Sequence, residues 1–325
     1  MKSLAGTLAA PFPWFGGKSL ACVEVWNALG EPDNYVEPFA GSAAMLLGAP
    51  EGKRVETIND ADGFVANFWR AIAHDAEAVA EAADWPTNEA DLFARHSWLV
   101  RQRDGLLDAL HADPDYYDAK IAGWWCWGAC NWIGSGWCSG DGPWVHDGER
   151  IVDGRKLPHL SAGRGINRQL PHLGNAGRGD YIREWFGLLH DRLRDVRVAC
   201  GDWSRVLKDS VTTRHGLTGV FLDPPYTKGS MDYSAKGTGG DMAAAVREWC
   251  SENGDNQLLR IVLCGHAGEH DALLEVGWHT RTWTARKGYA MTDEAVANSA
   301  SETIWCSPHC IGETVEQGSL FGVEA

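Results

Sequence analysis

The feature that most limits the fold is a strand-turn-helix cadence that begins early, breaks off and resumes late. Tyr35-Val36-Glu37 reads as a short buried strand that ends in the turn Pro38-Phe39-Ala40-Gly41-Ser42, and Ala43 to Leu47 then reads as a helix start. Val55-Glu56-Thr57-Ile58 repeats the strand signal, and Phe64 to Ala73 is apolar at helical spacing. Strands that alternate with helices are joined by crossovers, which favours a parallel sheet. The cadence returns at Val196 to Cys200, at Gly219-Val220-Phe221-Leu222 and at Arg260 to Cys264. His279 to Thr284 and Thr303 to Cys306 read as a hairpin-like edge. The expected class is α/β: one sheet domain formed by residues 1–90 and 196–315, a mainly helical or irregular insert at 91–195, and a tail at 316–325.

Composition narrows the function classes. The longest apolar runs fall well short of the roughly 20 residues of a membrane helix. The first ten residues are too short and too weakly apolar for a secretory signal, so the expected setting is the cytoplasm, without a membrane. Nine scattered cysteines, an odd number, point to reduced thiols rather than a disulfide framework. The net charge of −15 resists non-specific contact with nucleic acid, so any nucleic-acid role needs a local basic stretch.

The insert holds such a stretch. Between residues 150 and 178 lie Arg150, Arg155, Lys156, Arg164, Arg168 and Arg178, opposed by one acid, Asp153. Among glycines, this is the localised footprint that phosphate binding requires; the alternative is a solvated Arg-Gly loop. Upstream, Tyr116 to Ile133 is a predicted helix that carries Trp124, Trp125, Trp127 and Trp132. Flat rings can stack unpaired bases, but helical spacing favours core filling between insert and sheet. Cys126, Cys130, Cys138 and His146 invite a zinc reading, yet Cys126 and Cys130 are one helical turn apart and lack the pattern of tight cysteine pairs. No metal is expected.

Four motifs carry chemistry. Asp223-Pro224-Pro225-Tyr226 directly follows an apolar strand, and open α/β sheets bind ligands at the carboxyl ends of strands. The two prolines fix an extended ledge that presents an acid, carbonyl oxygens and a flat ring. Such a ledge suits an exocyclic amino group on a heterocycle; the alternative is a plain turn with a packed tyrosine. Pro13-Trp14-Phe15-Gly16-Gly17-Lys18 combines close backbone approach with a cation, but lacks the spacing of a phosphate-binding loop; the alternative is a solvated surface turn. Glu37 to Ser42 is a strand end turning into a helix, where free amides face a ligand. Asn59-Asp60-Ala61-Asp62 follows the second strand, where an acid hydrogen-bonds a ribose in nucleotide-binding sheets. Each of the last two also fits a helix cap.

In this order, Trp14-Phe15-Gly16-Gly17-Lys18, Glu37-Pro38-Phe39-Ala40-Gly41-Ser42 and Asp223-Pro224-Pro225-Tyr226 resemble the Dam-like DNA adenine N6-methyltransferases, over roughly residues 11–75 and 196–306. The resemblance implies a Rossmann-like sheet that binds S-adenosyl-L-methionine (SAM), interrupted by a target-recognition insert. It implies that Trp14, Phe15 and Lys18 touch SAM, that Glu37, Phe39 and Gly41 line its methionine and ribose side, and that Asp60 binds the ribose hydroxyls. Asp202 falls where the family often has an acid near the cofactor adenine. Asp223, at the cofactor boundary, and the Pro224 carbonyl would accept the target amino protons, with Pro225 stiffening the ledge and Tyr226 stacking on the extruded base. Two departures stand out. The turn reads Gly41-Ser42-Ala43-Ala44, where the family often has a further glycine, and the insert is rich in Trp, Cys and Gly rather than Asn, Arg and Tyr.

The function this implies is methyl transfer from SAM to N6 of a flipped-out adenine in double-stranded DNA by a monomeric enzyme, as in restriction-modification; whether a cognate endonuclease exists is open. The alternatives are N4 of cytosine, RNA, a protein glutamine, or a non-catalytic DNA-binding protein on the same scaffold.

Overall fold

The computed structural model describes residues 8–14, 21–132, 137–138, 144–146, 151–153, 179–225, 239–282 and 302–312. Its helices are α1 (Cys22–Leu29), α2 (Ala44–Leu47), α3 (Gly63–Ala83), α4 (Glu89–Ala112), α5 (Ala119–Asn131), α6 (Asp180–Leu193) and α7 (Gly239–Asn253). The strands are β1 (Asn34–Glu37), β2 (Val55–Asp60), β3 (Trp144–His146), β4 (Ile151–Asp153), β5 (Arg197–Cys200), β6 (Thr218–Leu222), β7 (Leu259–His266), β8 (His279–Thr282) and β9 (Glu302–Cys306).

Seven strands form one sheet in the order β5-β2-β1-β6-β7-β9-β8. β5, β2, β1, β6 and β7 are mutually parallel, and β9 runs antiparallel to both β7 and β8. The α/β class expected from the strand-helix cadence is what the chain adopts. The last two strands do pair with each other, but β9 inserts between β7 and the edge strand β8. β6 is buried along its whole length, as a central parallel strand covered on both faces must be.

From β1 the chain steps outward to β2 and β5; β6 and β7 lie on the other side of β1. The strand order therefore reverses between β1 and β6, the place where open α/β sheets form a crevice at their carboxyl ends.

One apolar cluster runs through α1, α2, α3, α4, α5 and α6, with Phe64, Phe68, Trp69, Trp125, Trp127 and Phe186 among its large members. Trp125 and Trp127 are buried, so α5 fills core, the favoured sequence reading. Helices α5 and α6, both within 91–195, pack against α3. Gly123 allows that contact, since a Cβ there would lie 2.7 Å from the Val79 carbonyl oxygen of α3. α4 escaped the sequence reading because its apolar residues, among them Leu92, Leu99, Leu106 and Leu110, are sparse among charged ones. Asn88 caps it by accepting from the Asp91 amide. A second cluster on the far side of the sheet holds Val36, Val220, Leu222, Ile261, Leu263 and Trp305. No described helix is long and apolar enough to cross a membrane.

Candidate active site

The carboxyl ends of β1, β2 and β6 bring together three of the four sequence motifs. Glu37 closes β1, Asp60 closes β2, and Asp223-Pro224-Pro225 follows β6. β1 lies between β2 and β6, so the Glu37-to-Ser42 turn stands between Asp60 and Asp223.

The turn after β1 is held from below by its neighbours. Asn59 donates to the carbonyls of Pro38 and Gly201, each at 2.9 Å, which ties the ends of β1, β2 and β5 together. The Ala40 amide donates to the Asn59 carbonyl at 2.9 Å. Gly41 donates its amide to Asp60 Oδ2 at 2.8 Å, and its carbonyl accepts from Trp69 Nε1 at 2.9 Å. Gly41 has φ +46°, and a Cβ there would lie 2.3 Å from Trp14 Nε1. Glycine is required on both counts, and the indole of Trp14 rests on bare backbone. Ala43 also takes a left-handed conformation, with φ 50°. The expected further glycine is thus replaced by a residue that accepts some strain to start α2.

Glu37 is 2% exposed. Its Oε2 accepts from the Tyr35 hydroxyl at 3.0 Å and from the Leu46 amide of α2 at 3.2 Å. Burial pushes its carboxyl up to about 8, the two donors pull it down, and the charges of Asp223 and Asp60 push it up further. Asp60 uses both oxygens: Oδ2 takes the Gly41 amide and Oδ1 the Asp62 amide at 2.8 Å. Burial, then the Asp62 charge, raises its carboxyl to about 7. Asp62 is the N-cap of α3 and accepts from the Phe64 amide at 2.8 Å. The result is an acidic edge whose carboxylates are costly to ionise without a cation, as in a candidate site for a cationic ligand.

The other expected residues fall as follows. Asp202 caps a short 3-10 helix at Trp203–Leu207, accepting from the Ser204 amide at 2.9 Å. Phe39 stacks on Trp203 with ring centroids 6.0 Å apart. Pro224 is buried, while Asp223 and Pro225 are half-buried. Phe15, Lys18, Tyr226 and the basic residues Arg150, Arg155, Lys156, Arg164, Arg168 and Arg178 lie outside the described residues. The Cys130 thiol donates to the Pro11 carbonyl at 3.0 Å. Among the described residues no three His, Cys, Asp or Glu side chains converge as a metal ion would need.

Three residues of the site went unassigned in the sequence reading: Tyr35, Asn59 and Trp69. Asn59 lies inside a quoted motif, where a buried polar residue at a strand end signals a structural hydrogen bond, and Tyr35 lies within the strand that leads into the Glu37 turn. Trp69 carries no such signal, because its ring reads as core and only its indole N–H reaches the turn.

The donor set fits SAM. Buried acids suit a cationic sulfonium and ammonium, and a glycine turn gives close backbone approach.

Residues 14–113 match the model of the D12 class N6 adenine-specific DNA methyltransferases. The chain is also similar to the DNA N-6-adenine-methyltransferase of Escherichia phage P1, at 27% identity over 100 residues. That similarity covers 29% of this chain and 13% of the phage protein. The family match holds Trp14, Glu37, Gly41 and Asp60 and ends before Asp223. Over residues 14–113 the chain is thus similar to the D12 class N6 adenine-specific DNA methyltransferases, in support of the resemblance to adenine methylases.

Proposed function

We propose that the chain transfers a methyl group from SAM to the N6 amino group of an adenine in double-stranded DNA. One observation carries this: Glu37 to Gly41, Asp60 and Asp223-Pro224 converge at the carboxyl ends of adjacent parallel strands across the switch point. A bound SAM supplies an activated methyl group on a sulfonium.

The protein's own part is positioning. Glu37 and Asp60 hold the cationic and ribose portions, with Trp14, Phe15, Lys18, Phe39 and Gly41 lining the cofactor and Asp202 near its adenine. The amino lone pair of adenine is delocalised into its ring and is a poor nucleophile. Hydrogen bonds from the amino protons to Asp223 and the Pro224 carbonyl localise that lone pair toward the methyl. Pro225 stiffens the ledge, and Tyr226 stacks on the base, which must leave the duplex to reach this edge.

Residues 1–90 and 196–315 form the catalytic unit, and 91–195 reads DNA. Within 91–195, α5 and α6 are committed to the core beside α3, so DNA contact belongs to the stretch between them. Arg150, Arg155, Lys156, Arg164, Arg168 and Arg178 all lie there and would neutralise phosphates.

The test is methyl transfer from labelled SAM to unmethylated duplex DNA, followed by nucleoside chromatography. Label in N6-methyladenosine is the expected result. Label in N4-methylcytosine would change the target base, and bound SAM with no labelled DNA would overturn the DNA assignment.

A further inference from the structure

Tyr35 sits two residues before the motif glutamate, on the same face of β1, and is fully buried. Its ring packs against Trp26, with centroids 4.8 Å apart. Trp26 in turn donates to the Met45 carbonyl of α2 at 2.9 Å. The Tyr35 hydroxyl and the Leu46 amide both donate to the same oxygen of Glu37, Oε2. Among the described residues no donor reaches Oε1. A carboxylate fixed by two donors on one oxygen has its other oxygen aimed, rather than free to rotate.

α2 is clamped from its other side as well. Arg192 donates to the Leu46 carbonyl at 2.8 Å while forming a bidentate pair with Glu56 at 2.7 and 2.8 Å. The Leu46 amide is therefore a fixed donor, and Tyr35 supplies the side-chain half of the cradle.

We propose that Tyr35 is a positioning residue of the cofactor site: by engaging Oε2 of Glu37 it turns Oε1 toward the cationic part of SAM. This rests on the function proposed above and adds a residue to it. The groups that face Glu37 are the Tyr35 hydroxyl, the Cys22 thiol of α1, Asp60 and Asp223. Burial keeps the Cys22 thiol at about 11 and the Tyr35 phenol well above its ordinary range, so both stay neutral near pH 7. Tyr35 therefore acts as a donor throughout.

A cation binds the carboxylate form of Glu37 better than the neutral form. SAM affinity accordingly rises with pH and levels off above about 8, where Glu37 ionises by itself. Removing the Tyr35 donor disfavours the carboxylate and moves that inflection upward.

The experiment is SAM binding by titration calorimetry from pH 6 to 9.5 on the full chain, with Tyr35→Phe and Glu37→Gln alongside. The amino group of SAM and Asp60 titrate in the same range for every variant, so Glu37→Gln supplies the baseline. Tyr35→Phe should weaken SAM about tenfold at pH 7 and shift the Glu37 inflection up by about one unit. In the Glu37→Gln background it should have no pH-dependent effect. Biosynthetic 3-fluorotyrosine, whose phenol is a stronger donor, should shift the inflection down, and this arm does not depend on the folding of the Phe variant. SAM binding with an inflection that neither change moves would overturn the role of Tyr35 and leave the methyltransferase reading standing. No SAM binding by the wild-type chain would overturn both.

Discussion

Replacing Glu37 by Gln should stabilise the protein and weaken its cofactor binding together, and the stability gain should depend on pH. Gln keeps a carbonyl oxygen for the Tyr35 hydroxyl and the Leu46 amide, because both donors use one oxygen of Glu37. It removes only the ionisation. Glu37 titrates at about 8 in the folded chain against 4.5 unfolded, so between those values the native state binds more protons. Stability then falls as pH rises through that window. The burial cost works out at about 1 kcal/mol at pH 5.5 and about 4 to 5 kcal/mol at pH 8.5. The advantage of Glu37→Gln over wild type should thus grow by about 3 kcal/mol across that interval. Urea unfolding at the two pH values, with no SAM added, reads the difference. Asp60 titrates in both proteins and largely cancels in the comparison. An equal stability difference at pH 5.5 and 8.5 would refute the idea that Glu37 is a carboxylate held against its solvation.

Asp60→Asn should behave oppositely. Both Asp60 oxygens accept backbone amides, so one amide would face the new NH2 group. A loss of about 1–3 kcal/mol at pH 5.5 is expected in the same urea assay. Gly41→Ala places a Cβ 2.3 Å from Trp14 Nε1 in a left-handed conformation. It should cost roughly 2 kcal/mol of stability, with weaker SAM binding by calorimetry as Trp14 shifts. Asp223→Ala should lower single-turnover methyl transfer by roughly 100-fold or more, with duplex affinity in a gel-shift assay nearly unchanged.

The parts of the fold legible in the sequence are those where local and global signals agree. β1, β2, β6 and β7 are short strands buried along nearly their whole length, and each is followed by or ends at a polar or turn residue. Strand order was not legible: β8 and β9 pair as a hairpin in either arrangement, and only the sheet shows β9 against β7. α4 was missed for a physical reason. Its core contacts come from few side chains, and Arg95 and His96 are buried beside the leucines, which blurs the apolar stripe. The guanidinium of Arg95 sits 4.4 to 5.1 Å from the rings of Trp85, Trp124 and Trp127. A charge can be held there by aromatic faces, a compensation that no single-residue pattern reveals.

The site divides along the same line. Motif residues were legible because each stands where a strand signal stops: an acid, a glycine turn or a proline pair where the sheet opens. Their supports were not, because Tyr35, Asn59 and Trp69 are ordinary residues for a buried strand or helix. Yet these supports determine what the acids can do. Asp60 is fixed at both oxygens by backbone amides, so its orientation is a property of the fold. Glu37 is fixed at one, half of that by a side chain, so its orientation can be altered without rebuilding the turn. Two carboxylates on neighbouring strands thus differ in kind: one is part of the scaffold that shapes the turn, the other an adjustable contact whose charge is resisted by burial until a cation arrives. A chain that bears the cost of two buried acids in its resting state gains affinity for a cationic ligand in return, and of the two it is Glu37 whose aim rests partly on a side chain.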